Sequence, residues 1–336
     1  MGVAAAPWGM NDAGMDLTGW ILGRALDGSF PLPVDQPFTT AMALGAGMSK
    51  RALTTLVTEG LLRRPVRGVY LSTAAGDSLA LRAAALRLVV PADCVVVDGH
   101  AGWLRGAEMT LAPGEHLELR PLSLFRPSGT GRLRNEISSS GERWLPDEHV
   151  TEFDGLRVTT EIRTAWDLGR VRWPSRGLAG VDQMLRLGRF THEELLAGID
   201  QFRGHRWVTT LRAIGPLADG RAESPPESVL RLLCHENLLP MTPQVEVWDG
   251  SRFVARLDLA DESLLAGVEY DGREWHSTPE QQRHDRRRRA DAVGQGYLVE
   301  AFTKHDLFES RARAAEEKII ALRRAALARR GGRICG

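Results

Sequence analysis

The chain has 336 residues, with 43 basic and 43 acidic side chains, so its formal net charge is zero. That length leaves room for more than one domain, and the balanced charge excludes nucleic-acid binding through a global positive field, so only local basic patches can serve. The cysteines Cys94, Cys234 and Cys335 lack any zinc-ligand or Cys-x-x-Cys spacing and suit a reducing cytoplasm. No apolar run reaches the about 18 residues of a membrane span, and no basic-then-apolar signal peptide opens the chain.

Residues 1–35 are expected as a loose N-terminal segment, rich in Gly and Ala at its start. Residues 36–75 form the first readable unit. Thr39 or Thr40 is placed to cap a short helix through Ala46, and Gly45 and Gly47 suit the turn after it. Ser49 then caps a second helix, Lys50 to Glu59, stopped by Gly60, with Leu53, Leu56 and Val57 as its buried stripe. Leu61 to Tyr70 reads as a tight β-ribbon. Helix, turn, helix and ribbon make a winged helix-turn-helix. Between Met48 and Tyr70 stand the basic residues Lys50, Arg51, Arg63, Arg64 and Arg67 against the single acid Glu59. They fall at the start of the second helix and on the wing, where phosphates and grooves are met, so contact with DNA is expected of them. The alternative is a scaffold or protein-binding winged helix.

Residues 76–216 read as a mixed α/β middle domain. Leu79–Val90 is a helix, Cys94–Val97 a strand, His100–Gly106 the opening of a helix, and Val158–Leu168 a strand passing into a capped helix. Gly180–Leu187 and Thr191–Ile199 are further helices, the second with a Thr191/Glu194 capping box. His100 and Arg163 are assigned capping or core hydrogen-bond roles, because no acid or cysteine stands beside them at ligand spacing. Together with the winged helix this part resembles the AbiEi-type antitoxin family of type IV toxin–antitoxin systems, best at Phe38–Leu71 and Arg163–Leu168. The resemblance implies a DNA-binding repressor with a cognate toxin or other protein as partner.

Residues 217–226 read as a linker by composition. In 227–336 the expected order is helix (Glu227–Asn237), strands (Val245–Trp248, Phe253–Ala260, Leu264–Asp271), helix (Pro279–Val293), strand (Tyr297–Phe302) and a terminal helix (Leu307–Arg329). Acids interrupt the strands: Asp258 lies between Leu257 and Leu259, and Glu269 and Asp271 follow an apolar run. A carboxylate in a buried strand is costly unless paired, hydrogen-bonded or metal-bound. Alternation puts Glu269 and Asp271 on one face, and pairing of the two strands lets Asp258 join them. Such a cluster is a hard-oxygen site suited to Mg²⁺ or Mn²⁺.

This run resembles the core of the PD-(D/E)xK nuclease superfamily and, within it, the bacterial relatives of very-short-patch-repair endonucleases. The resemblance implies a restriction-endonuclease-like αβββαβ domain over 227–336, in a multi-domain α/β chain. It implies Asp258 and Glu269 as catalytic acids and metal ligands, with the carbonyl of Tyr270 and, from the first helix, Glu227. For Glu227 the alternative is stabilisation of its own helix dipole. Asp271 to His276 is similar to the repair-enzyme ending in which a His acts in catalysis, and His276 falls at that place. Asp271 stands where a Lys is usual, leaving one cation fewer for the transition state. An Asp-Arg-x-Arg run matches Asp285, Arg286 and Arg288, which implies phosphate contact. Against this, the four adjacent arginines 286–289 cannot share a helix face, and a solvated, partly ion-paired face is the alternative.

The expectation is a cytoplasmic DNA-binding protein with a Mg²⁺- or Mn²⁺-dependent endonuclease-like domain hydrolysing DNA phosphodiester bonds. The alternative is a non-catalytic antitoxin-like repressor whose C-terminal domain only binds DNA or a partner. Its expected partners are DNA, a toxin or other protein and a second copy of the chain, with no membrane.

Overall fold

The structure, a computed structural model, describes residues 21–22, 25–111, 120–272, 289–308 and 312–334. It is mixed α/β and divides into two compact units, residues 1–105 with 119–160 and residues 106–118 with 161–336. That division runs through the expected middle domain. The sheet of that domain and its first helices, residues 79–87 and 98–104, belong with the winged helix, and its helices from Glu161 onward belong with the C-terminal part.

In the first unit a short hairpin, β1 (Ile21–Leu22) and β2 (Ala25–Leu26), precedes β3 (Phe38–Thr39) and the helices α1 (Thr40–Gly45) and α2 (Lys50–Thr58). Both helices start on hydroxyl caps. Thr39 accepts from the Met42 N–H at 3.2 Å and Ser49 from the Ala52 N–H at 3.0 Å, which satisfies donors that the first turn leaves open. After α2 the chain turns at Gly60, whose φ of 71° a side chain would resist. The buried stripe of α2 is Ala52, Leu53 and Leu56, packed on Phe38, Met48 and Leu62. Val57, expected in that stripe, is half-buried. The ribbon strands β4 (Leu62–Arg63) and β5 (Val69–Ser72) pair antiparallel, and β3 adds a third strand on the far side of β5.

The wing connecting β4 to β5 is not free. Val66 and Val69 are buried in the core of the adjoining sheet layer with Leu86, Val96, Leu124 and Val158. That layer contains β6 (Val95–Val96), β7 (Leu122–Pro127), β8 (Ser138–Arg143), β9 (Val150–Phe153) and β10 (Leu156–Thr159), in the order β8-β7-β6-β10-β9. The helices α3 (Leu79–Arg87) and α4 (Asp98–Leu104) contribute to the same core.

The second unit opens with α5 (Glu161–Gly169), α6 (Pro174–Arg186), α7 (His192–Ala197) and α8 (Val208–Ile214) around Trp166, Met184, Leu195, Phe202 and Leu211. The capping box at α7 is present, with Thr191 and Glu194 each accepting from the other's N–H. The stretch 217–226, expected as a linker, is packed. Ala222 is buried, the Asp219 N–H donates to Asp182 at 2.8 Å, and Arg231 of α9 (Pro225–Glu236) donates to the same buried carboxylate at 2.5 Å. The polar residues that suggested a linker instead satisfy an internal network joining α6 to α9.

Four strands follow: β11 (Thr242–Asp249), β12 (Arg252–Asp261), β13 (Ala266–Asp271) and β14 (Leu298–Thr303), in that spatial order. The first three are antiparallel, and β13 and β14 run parallel. A parallel pair needs a crossover, and residues 289–294 of that crossover are helical. One core joins α9 and the terminal helix Ala312–Ile334 to the sheet through Leu230, Val268, Phe302 and Ile319. A second gathers Val245, Val247, Leu257, Ala292 and Tyr297.

Candidate functional site

The acids of the C-terminal sheet lie at one level. The β12–β13 register pairs Leu259 with Val268 and Ala260 with Gly267, so one further step brings Asp258 level with Glu269. At that step the Asp258 side chain enters the seam: its Oδ2 accepts from the Tyr270 N–H at 2.9 Å. On the other side, β11 pairs Pro243 with Leu259 and Val245 with Leu257, which brings Gln244 to the level of Asp258. Gln244 has a φ of 56°, in the left-handed region that non-glycine residues seldom adopt.

Glu269 is buried. Its carboxylate accepts from Nε of Arg289, and the same guanidinium lies 3.5 Å from Asp271. Burial works against the charge of Arg289, but the Glu269 and Asp271 carboxylates outweigh it and hold the guanidinium above its ordinary range. Glu227, at the start of α9, is also buried. It accepts from the Glu223 N–H at 2.9 Å, the Ser224 hydroxyl at 2.8 Å and the Gln244 amide at 3.0 Å. Burial pushes its carboxyl up while those bonds pull it down, with burial prevailing.

Among the described residues no group of three or more His, Cys, Asp or Glu side chains is gathered as a metal centre. Asp258 and Glu269 still offer a pair of level carboxylates. Mg²⁺ keeps several waters and takes one or two protein carboxylates; Asp258 and Glu269 are the two that could hold it, and Glu269 is occupied by Arg289. Glu227 is committed to Gln244 and to the first turn of its own helix. His276, Arg286 and Arg288 lie outside the described residues. Arg289 has a cation's place between two acids, and nothing in the arginine run itself sets it apart from its neighbours.

On the winged helix the basic residues divide into two groups. Lys50 and Arg51 at the start of α2, and Arg64, are exposed. Arg63 donates to the Gly76 carbonyl and lies 4.0 Å from Asp77. Arg67 donates to the Glu136 carbonyl at 3.2 Å, beside the buried Val66. Of the wing residues expected to meet DNA, Arg63 and Arg67 are therefore bonded within their own unit, while Arg64 is exposed.

His100 and Arg163 have core contacts. His100 Nδ1 accepts from the Ser123 N–H at 3.2 Å, and burial pushes the imidazole down to about 4. Arg163 is fully buried and pairs with Asp167 at 2.9 Å. Asp167 also pairs with Arg170, and both guanidiniums lie over the Phe202 ring. Arg163 does have an acid partner, contrary to expectation. It stands four residues on, the spacing that brings two side chains together on a helix.

Residues 35–73, which span β3 through β5, match the family described as "Transcriptional regulator, AbiEi antitoxin". Two proteins of Mycobacterium tuberculosis are similar to most of the chain: "Uncharacterized protein MT2308" of strain CDC 1551 / Oshkosh and "Uncharacterized protein Rv2248" of strain ATCC 25618 / H37Rv. Each is 28% identical over 282 residues, covering 84% of this chain and 100% of the relative. No helix among the described residues is long and apolar enough to cross a membrane.

Proposed function

We propose that this protein docks on duplex DNA through the start of α2 and carries in its second unit a metal-dependent endonuclease-like site that hydrolyses phosphodiester bonds. The observation that carries the second half is the level placement of Asp258 and Glu269 on adjacent antiparallel strands, in a sheet whose order of helix, three strands, helix and strand is similar to that of the PD-(D/E)xK nucleases. The first half is supported by the match of residues 35–73 to a family of transcriptional regulators and by Lys50 and Arg51 on the exposed side of a capped helix. Buried free thiols at Cys94 and Cys234 suit the cytoplasmic setting proposed for such a protein.

Asp258 and Glu269 are the residues that would hold Mg²⁺ or Mn²⁺, together with the Tyr270 carbonyl. When bound, such an ion polarises the scissile phosphate and lowers the pKa of water. The Tyr270 N–H fixes the direction of Asp258. Arg289 offers the positive charge that Asp271, standing in the place of a lysine, does not. His276 is the group assigned to take the proton of the attacking water.

A second reading is favoured by one observation: Glu269 is already neutralised by Arg289. On that reading the chain is a non-catalytic repressor, with a toxin, another protein or a second copy as its partner. Plasmid nicking with Mg²⁺, with Mn²⁺ and with EDTA separates the two. The nuclease reading expects metal-dependent nicking that Asp258→Asn and Glu269→Gln abolish while duplex binding survives. A wild-type protein that binds duplex, takes up no metal by calorimetry and cuts no DNA leaves the repressor reading.

A further inference from the structure

The terminal helix changes character along its length. Ala315, Ile319, Leu322 and Ala326 are buried in the sheet core, at the spacing of one helical stripe. Continued by the same period, that stripe reaches positions 329, 330 and 333, and all are arginine. Arg329 and Arg330 are exposed. Beyond Ala326, then, the helix has run past the core, and the face that was apolar becomes basic.

From Lys318 to Ile334 there are six basic residues and no acid. Lys318 is bound to Asp306 at 2.9 Å. Among the described residues, no carboxylate pairs with Arg323, Arg324, Arg329 or Arg330. The helix dipole favours cations only within the last turn. It explains positive charge near the C-terminus but not Arg323 and Arg324, which lie well inside the helix. Among the described residues, a chain with no net charge thus concentrates positive charge without paired acids on one helical segment.

We infer that Arg323, Arg329 and Arg330, which fall on one side of the helix, form a second contact with the phosphate backbone of duplex DNA, distinct from α2. Guanidinium groups suit phosphate oxygens through paired, charge-assisted hydrogen bonds. A bilayer surface fits less well, since interfacial helices pair their basic face with a broad apolar one. Here the exposed large apolar residue of this segment is Leu327, and its neighbours are alanines. The inference rests on the reading of the chain as a duplex-binding protein.

The test uses the full chain carrying Arg323→Gln, Arg329→Gln and Arg330→Gln, beside a second variant with Lys50→Gln and Arg51→Gln. Glutamine matches arginine closely in helix propensity, so the helix is kept, as circular dichroism verifies. Binding to a short blunt duplex is followed across a salt series. The helix variant is expected to bind more weakly, with its log K against log salt slope reduced by about 0.9 for each arginine that meets a phosphate. Wild-type affinity and slope in that variant would overturn the inference, whatever the α2 variant does. So would unchanged duplex binding combined with lost binding to anionic phosphatidylserine vesicles. If the α2 variant binds normally while the helix variant does not, docking through α2 fails and the terminal-helix contact stands. A wild-type chain with no duplex affinity removes both.

Discussion

Arg289 reaches back from the helical crossover after β13 to donate to the carboxylate of Glu269. A buried acid in the middle of a sheet thus receives its counter-charge from a different element, and Asp271 stands close enough to share it. The cation that the strand itself lacks is supplied from the next helix.

Replacing Arg289 with Gln should lower stability by about 1–3 kcal/mol in denaturant melts run without metal, because a buried carboxylate loses its partner. Mg²⁺ added to the same variant should bind more tightly than to wild type in calorimetry, since a competing cation has gone. Equal stability and equal metal affinity would contradict the role given to the pair.

Lys50→Gln with Arg51→Gln should weaken duplex binding and lower its salt slope by about 0.9 for each phosphate that the variant no longer neutralises. Arg67→Gln should leave that slope in place, because Arg67 is bound to the Glu136 carbonyl. It should instead cost about 0.5–1.5 kcal/mol of stability, the usual worth of one hydrogen bond. Fluorescence anisotropy across salt concentrations, with thermal melts, tests both halves.

Acid should weaken the first unit through His100. Its imidazole falls from 6.5 to about 4 in the folded protein because of burial. Between those values the unfolded chain binds a proton that the folded chain refuses. The stability contributed is therefore fully present above the unfolded value and is lost as pH falls toward the folded one. Urea midpoints at neutral and mildly acidic pH should show this loss in wild type and a smaller one in His100→Asn. An identical pH dependence in the two proteins would contradict it.

Gly198→Ala should destabilise the helical layer by about 1–3 kcal/mol, the usual cost of overpacking. A Cβ there would lie 2.0 Å from the Trp166 ring, whose Nε1 donates to the Leu195 carbonyl at 2.9 Å. The ring cannot retreat without breaking that bond. A lowered melting temperature with a shifted tryptophan emission is the expected result.

The features that could be read from sequence are those decided within a few residues. Thr39, Ser49 and the Thr191/Glu194 box cap their helices by bonding to backbone groups three positions away. The level of Asp258 and Glu269 comes from strand alternation and the length of one turn. What could not be read depends on how elements rotate against each other. That Arg289 reaches Glu269 is fixed by the phase of the crossover helix over the sheet, and no local pattern holds that phase. The stretch 217–226 has the same composition whether it floats or packs, and what distinguishes the two is its bonding to Asp182, Gln183 and Arg231, residues outside it. The burial of Val66 was hidden for the same reason, because the residues it packs against come from distant strands.

That burial sets a rule for anyone who cuts or recombines this chain. With Val66 and Val69 built into the core of the adjoining sheet, the winged helix is no detachable cassette. A fragment ending near residue 75 would carry raw apolar surface into solvent, and a chimera joined there would need both sides of the seam from one parent. Grafting residues 1–160 together keeps that seam intact but takes 106–118, with the buried Ala107, out of the second unit.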